Sequence, residues 1–242
     1  MVYSIGIIGG LGPEAGTFFA NQIVEISQKH HGAGVSKPSP DFTLRSPSVP
    51  DYVARLRDRD SALSVLLPEV KILEDIGADF IAIACNTAHL WYDDVADAAS
   101  VPVLDIRREA LKAIKADGHN TVGLLAAATT IRERLYQQVQ GEYSIEVIST
   151  DNIRGLQSLL ERVARGELSE QDKSELLERA DALKSQGVEA IVLACTEIPL
   201  LVKPDEFSLP AYDAGHILAM VATDIAYGKI ELPSKNSLYK TN

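Results

Sequence analysis

The chain contains two cysteines, and they occur in matching frames. Gly77-Ala78-Asp79-Phe80-Ile81-Ala82-Ile83-Ala84-Cys85-Asn86-Thr87 is echoed by Gly187-Val188-Glu189-Ala190-Ile191-Val192-Leu193-Ala194-Cys195-Thr196-Glu197. Each frame holds a helix-stopping glycine, an acidic residue, an apolar run and a thiol. A thiolate and a thiol on opposite sides of a small molecule can take a proton from one face of a carbon acid and return one to the other. That inverts the stereocentre, and a second turnover runs with the roles exchanged. Cysteine suits the task because its ordinary pKa, about 8.5, is lowered readily by its surroundings. Taken singly, either residue reads as buried, inert cysteine; their equivalent placement favours a working pair. A disulfide is disfavoured, since each cysteine ends a buried strand pattern, no export signal precedes them and a reducing compartment keeps thiols free.

The residues around the thiols supply what a carbanion needs. Asn86, Thr87 and Thr196 offer side-chain donors, and the backbone amides of the turns after each cysteine can hold a substrate carboxylate and the enediolate charge. The same residues also serve as helix caps. Glu197, beside Cys195, reads as a group that accepts the thiol proton or tunes it; its structural alternative is an acid favoured at a helix N-terminus. His89 has two readings, a general acid or base beside Cys85 and a core histidine. Gly9-Gly10-Leu11-Gly12-Pro13 loosely fits a dinucleotide fingerprint, but Pro13 lacks an amide and Arg45 stands where a ribose-binding acid is wanted. Gly10, Leu11 and Gly12 therefore read as a floor that lets backbone approach a small carboxylate.

These groups need elements to carry them. Strand patterns at 4–8, 42–44, 80–84, 103–104, 121–125, 145–148 and 190–194 alternate with amphipathic helices, the pattern of an α/β protein with parallel sheets. Helices are expected at 61–76 and 169–186, capped by Asp60 or Ser61 and by Ser169 with Asp172, and stopped by Gly77 and Gly187. Pro68 is expected to kink or divide the first. The repeat extends to Ile5-Gly6-Ile7-Ile8 with Val122-Gly123-Leu124-Leu125, and to Pro102-Val103-Leu104-Asp105 with Pro210-Ala211-Tyr212-Asp213. Two similar lobes follow: 1–103 plus 213–242, with a final helix at 214–227 returning to the first lobe, and 104–212. Ligands in open parallel sheets bind beyond the carboxyl ends of the strands, where both cysteines lie. With the lobes related by a pseudo-twofold axis, the two carboxyl edges face one cleft.

Bulk properties narrow the class. With 242 residues and 46% hydrophobic content there is material for real cores, and a formal charge of −11 repels nucleic acid and anionic membrane. No apolar run approaches the roughly 20 residues of a spanning helix. A cytoplasmic protein is the simplest expectation.

Cys85-Asn86-Thr87-Ala88-His89, Cys195-Thr196-Glu197-Ile198-Pro199 and Gly9-Gly10-Leu11-Gly12-Pro13 together resemble the aspartate/glutamate racemase superfamily, specifically its aspartate racemase branch. The resemblance runs in order over nearly the whole chain. It implies two Rossmann-like lobes, no pyridoxal phosphate and no metal, two-base catalysis by Cys85 and Cys195 on a small amino acid, and a homodimer. Ser46-Pro47-Ser48-Val49-Pro50-Asp51 is similar to a branch segment whose acid lies near the first thiol, which makes Asp51 the partner of Cys85 as Glu197 is of Cys195. Thr130 matches a substrate-contacting threonine of the second lobe. Two departures concern the substrate side chain: Tyr52 stands where an arginine of the branch reads a carboxylate, and Ala164, next to Arg165, where relatives carry lysine. Arg45, Arg55 or Arg165 are candidate replacements. The resemblance thus implies racemisation of aspartate, glutamate or a related amino acid. Hydantoin racemase, malonate decarboxylase and maleate isomerase chemistry, or a non-catalytic amino-acid-binding protein, are the alternatives.

Overall fold

A computed structural model describes residues 3–34, 36–49, 56–235 and Tyr239. Asp51, Tyr52 and Arg55 lie outside the described residues. The chain divides into two compact units, Met1–Ile106 with Leu218–Asn242, and Arg107–Ile217.

The first unit runs β1 (Ile5–Ile8), α1 (Pro13–His31), β2 (Phe42–Arg45), α2 (Arg59–Ile76), β3 (Phe80–Ile83), a 3-10 turn (Thr87–Trp91), α3 (Tyr92–Ala98) and β4 (Val103–Leu104). Its strands form a parallel sheet in the order β2-β1-β3-β4. After α4 (Ile106–Ala116), the second unit runs β5 (Thr121–Ala126), α5 (Ala128–Arg132), β6 (Glu146–Ser149), α6 (Ile153–Ala164), α7 (Glu170–Lys184), β7 (Ala190–Ala194), α8 (Ile198–Leu201) and β8 (Ala211–Asp213). Its sheet repeats the plan as β6-β5-β7-β8, again all parallel. The last helix, α9 (Ala214–Ala226), starts in the second unit and ends in the first. There Tyr3 N–H donates to Ala226 O at 3.0 Å, and Tyr227 stacks on His31 of α1 with ring centroids 4.1 Å apart. No described helix is long and apolar enough to cross a membrane.

The repeated frame has a structural meaning at each position. Every residue of β1, β3 and β7 is buried, as expected for strands covered on both faces. Gly6 and Gly123 occupy equivalent places in β1 and β5, and each lets a helix leucine approach the sheet. A Cβ at Gly6 would stand 3.2 Å from Leu73 Cδ1, and one at Gly123 would stand 2.9 Å from Leu183 Cδ1. Leu73 and Leu183 are themselves equivalent, each four residues before the glycine that opens its frame. The acidic residue of the frame accepts the first N–H of the neighbouring strand pair: Ser4 N–H donates to Asp79 Oδ2 at 2.7 Å, and Asn120 and Thr121 donate to Glu189 Oε2. Those two amides hold the Glu189 carboxyl below the usual carboxylate range. The acid and the apolar run of the frame are therefore scaffold, and each thiol follows directly on its buried strand.

Element ends shift by one or two residues in several places, as at α7, which ends at Lys184, and three other local expectations change. β8 is a strand that periodicity does not announce, because three residues are too few to show alternation; its match to Val103–Leu104 in the repeat is the available signal. Pro68 lies inside one continuous α2. That helix is capped by Asp58, whose Oδ1 accepts Ser61 N–H at 2.8 Å, and not by Asp60 or Ser61. β6 begins one residue later than read, at Glu146. Ser169 does cap α7, its Oγ accepting Asp172 N–H at 3.1 Å.

Candidate active site

Strand order decides where chemistry can collect. In β2-β1-β3-β4 the chain leaves β1 toward one edge of the sheet and returns on the other side, so the switch point lies between the carboxyl ends of β1 and β3. Gly9 to Gly12 follow β1 there, and Cys85 follows β3. The second unit repeats the arrangement, with Ala127 to Thr130 after β5 and Cys195 after β7. Neither cysteine forms a disulfide; Cys85 is buried and Cys195 half-buried.

In the first unit, Gly10 and Gly12 both have positive φ, 73° and 114°. Gly10 is pressed against the segment after β2: a Cβ would lie 2.6 Å from the carbonyl oxygen of Pro47. Gly9 N–H donates to Arg45 O at 2.8 Å, which closes the loop onto the end of β2. Leu11 is buried in the cluster that also holds Ile8, Ile83 and Cys85. Gly10→Ala combines left-handed strain with a backbone clash, so it is expected to cost about 2 kcal/mol, read as a melting temperature roughly 4–8 °C lower. A melting temperature indistinguishable from the parent's would show that the loop yields.

Arg45 already carries an ion-pair partner. Its Nε donates to Glu69 Oε2 at 2.8 Å, and Glu69 is a buried residue of α2. Asn86 is buried and Thr87 half-buried, at the start of the 3-10 turn. His89, fully buried, places Nδ1 2.8 Å from the carbonyl oxygen of Cys85 and accepts Ile106 N–H at Nε2, 3.1 Å away. Of its two sequence readings, the geometry shows a core histidine joined to backbone on both sides.

In the second unit, Cys195 Sγ donates to Glu197 Oε2 at 2.8 Å, and Thr196 Oγ1 donates to the same oxygen at 3.1 Å. Glu197 is the N-cap residue of α8, yet its side chain makes no capping bond. The carboxylate is turned to the thiol instead. Thr130 is buried in α5, and Gln157 Oε1 accepts Ala128 N–H at the start of that helix at 2.9 Å. Ala164 ends α6, and Arg165 pairs with Glu167 at 2.8 Å. The elements after the thiols are a five-residue 3-10 turn and a four-residue helix, so single amides, and not a long helix dipole, are what they present. Sequence reasoning weighed neither Glu69 nor Thr196 as a partner of Glu197. Adjacency made the second findable; the first depends on α2 crossing β2, which no local pattern shows. Among the described residues, no group of three or more His, Cys, Asp and Glu is arranged to hold a metal ion.

The profile of the Asp/Glu/Hydantoin racemases matches residues 8–222, which include both thiol frames and the glycine loop. The chain belongs to that racemase family. It is 30% identical over 225 residues to the broad specificity amino-acid racemase RacX of Bacillus subtilis, covering 92% of this chain and 99% of that one. Among solved structures, an aspartate racemase homologue from Pyrococcus horikoshii superposes with a TM-score of 0.79 at 27% identity, over 94% of this chain and all of that one. The aspartate racemase of Picrophilus torridus, at 24% identity, shares the fold with a TM-score of 0.79 over 93% of this chain and 94% of that one. The α/β architecture of two four-stranded parallel sheets is thus that of the racemase family.

Proposed function

We propose that the chain is a cofactor-independent amino-acid racemase in which Cys85 and Cys195 are the two acid/base groups, one on each face of the substrate α-carbon. The observation that carries the reading is the matched placement of a thiol, outside any disulfide, at the switch point of each sheet. One cysteine starts as thiolate and takes the α-proton; the other starts as thiol and protonates the opposite face. The glycine loop with Asn86 and Thr87 holds the substrate carboxylate, together with Thr130 and Thr196 from the second unit, and stabilises the enediolate as charge moves onto it. Glu197 accepts the proton of Cys195 when that thiol must serve as base, and Asp51 is assigned the same task for Cys85. The family resemblance supports a homodimer, and two cysteines outside any disulfide fit a reducing, cytoplasmic compartment.

For the substrate side chain we propose breadth and not strict selection for aspartate. Arg45 is already ion-paired with Glu69, and by the family resemblance Tyr52 stands in place of a carboxylate-reading arginine and Ala164 near the place of a lysine. The broad specificity of the Bacillus relative agrees with this. The test is a D/L conversion screen over the proteinogenic amino acids without added cofactor, run in deuterium oxide. Several neutral amino acids should racemise with solvent deuterium at Cα, at rates within about tenfold of aspartate, a spread of roughly 1.4 kcal/mol. Conversion of aspartate alone would refute breadth. Turnover of hydantoins, malonates or maleate with no amino-acid exchange would refute the racemase reading itself.

A further inference from the structure

We propose that His89 is a positioning residue for the Cys85 thiol, acting through the carbonyl group of Cys85 and exchanging no proton with substrate. The proposal rests on the reading of Cys85 as an acid/base group.

A backbone carbonyl only accepts and a backbone N–H only donates. With Ile106 N–H directed at Nε2, that nitrogen carries the lone pair, so Nδ1 carries the proton and gives it to Cys85 O. The network thus assigns one neutral tautomer. Protonating Nε2 would set N–H against N–H, and deprotonating Nδ1 would set a lone pair against a carbonyl. Either change that acid/base catalysis requires breaks the anchoring of the ring.

The ring is held as well as holding. Tyr92 stacks parallel to it, with an interplanar angle of 5° and centroids 5.8 Å apart, and Tyr92 Oη donates to Val103 O at 2.8 Å. Imidazole and phenol together fasten the thiol segment to the junction of β4 and α4, through Val103 and Ile106. The second unit solves the same problem differently. There the carbonyl of Cys195 accepts Ile198 N–H at 3.1 Å, so a backbone turn fixes the thiol. The position equivalent to His89 is Pro199, which has no N–H and no polar side chain to offer. Cys85 N–H donates to Ile83 O at 2.8 Å, but its carbonyl is held by a side-chain strut where that of Cys195 is held by backbone. A displacement of about 1 Å at a reacting group can cost on the order of 10²-fold in rate.

The two functions of the ring can be separated. In His89→Asn the amide nitrogen falls near the place of Nδ1 and keeps the bond to Cys85 O; in His89→Gln the amide oxygen reaches toward Ile106 N–H and the bond to Cys85 O is lost. His89→Asn should keep kcat within about fivefold of the parent, and His89→Gln should lose about 10²-fold in kcat with KM little changed. In His89→Gln the α-deuterium isotope effect should rise for the enantiomer that Cys85 deprotonates and fall for the other, because only one of the two proton transfers has been slowed. The pH profile of kcat/KM should keep both limbs in each variant. A merely structural loss would lower the active fraction and leave both isotope effects unchanged, with Asn and Gln following their melting temperatures; that outcome overturns the proposal, and so does the disappearance of a pH limb. Should Cys85→Ala racemise at the parent rate, the reading of Cys85 fails instead, whatever His89 does.

Discussion

Cys85→Ala and Cys195→Ala are each expected to lower racemisation by about 10⁴-fold or more, while each variant still exchanges the α-hydrogen of one enantiomer with solvent. The argument follows from having two bases. With Cys85 gone, Cys195 can still remove the proton from the face it serves and return a solvent-derived one to that same face. Deuterium then enters one enantiomer without inversion. In Cys195→Ala the enantiomer that exchanges is the other one. Proton NMR in deuterium oxide, run separately on the D and L substrates, reads both results, and it assigns each cysteine to its enantiomer. A variant that inverts at the parent rate, or two variants that exchange the same enantiomer, would end the two-base reading. Loss of structure cannot imitate a switch of enantiomer between the two variants.

The alternation of strands and helices was legible because fully buried parallel strands read as unbroken apolar runs, as in Phe80–Ile83 and Ala190–Ala194. The repeat added what periodicity could not. It placed the two thiols at equivalent strand ends, and followed to its end it would also have yielded β8, since Pro210-Ala211-Tyr212-Asp213 aligns with a segment already read as a strand. Contacts between elements were not legible. Arg45 reads as a candidate anion-binding cation until α2 delivers Glu69, 24 residues along the chain, and His89 keeps two readings, acid/base group and core histidine, until Ile106 N–H, 17 residues along, fixes its tautomer. In both cases the partner is chosen by how a helix crosses a strand end, which depends on packing and leaves no local trace. Glu197 was legible by adjacency alone, because two residues along the chain already bring a carboxylate within reach of a thiol.

Glu197→Gln should lower kcat/KM by roughly 10²- to 10³-fold, by the same factor for the D and the L substrate. The equality is a thermodynamic requirement, since enantiomers have equal free energy and the ratio of the two kcat/KM values must stay at one. Glutamine keeps the length and the hydrogen bonding of glutamate but cannot receive a proton. Cys195 is then left as a thiol when it is required as a base. Because the bond it makes with Sγ and the one from Thr196 both fall on Oε2, the carboxylate is already oriented for that single transfer. The asymmetry appears in the α-deuterium isotope effect. It should rise for the enantiomer that Cys195 deprotonates and fall for its mirror image, the reverse of the pattern expected for His89→Gln. Glu197→Asp draws the carboxylate back by one methylene and should fall between parent and glutamine in rate. If Glu197→Gln lost activity with both isotope effects unchanged, the side chain would be only a local structural acid. Its lack of any capping bond to α8 argues that it is more than that.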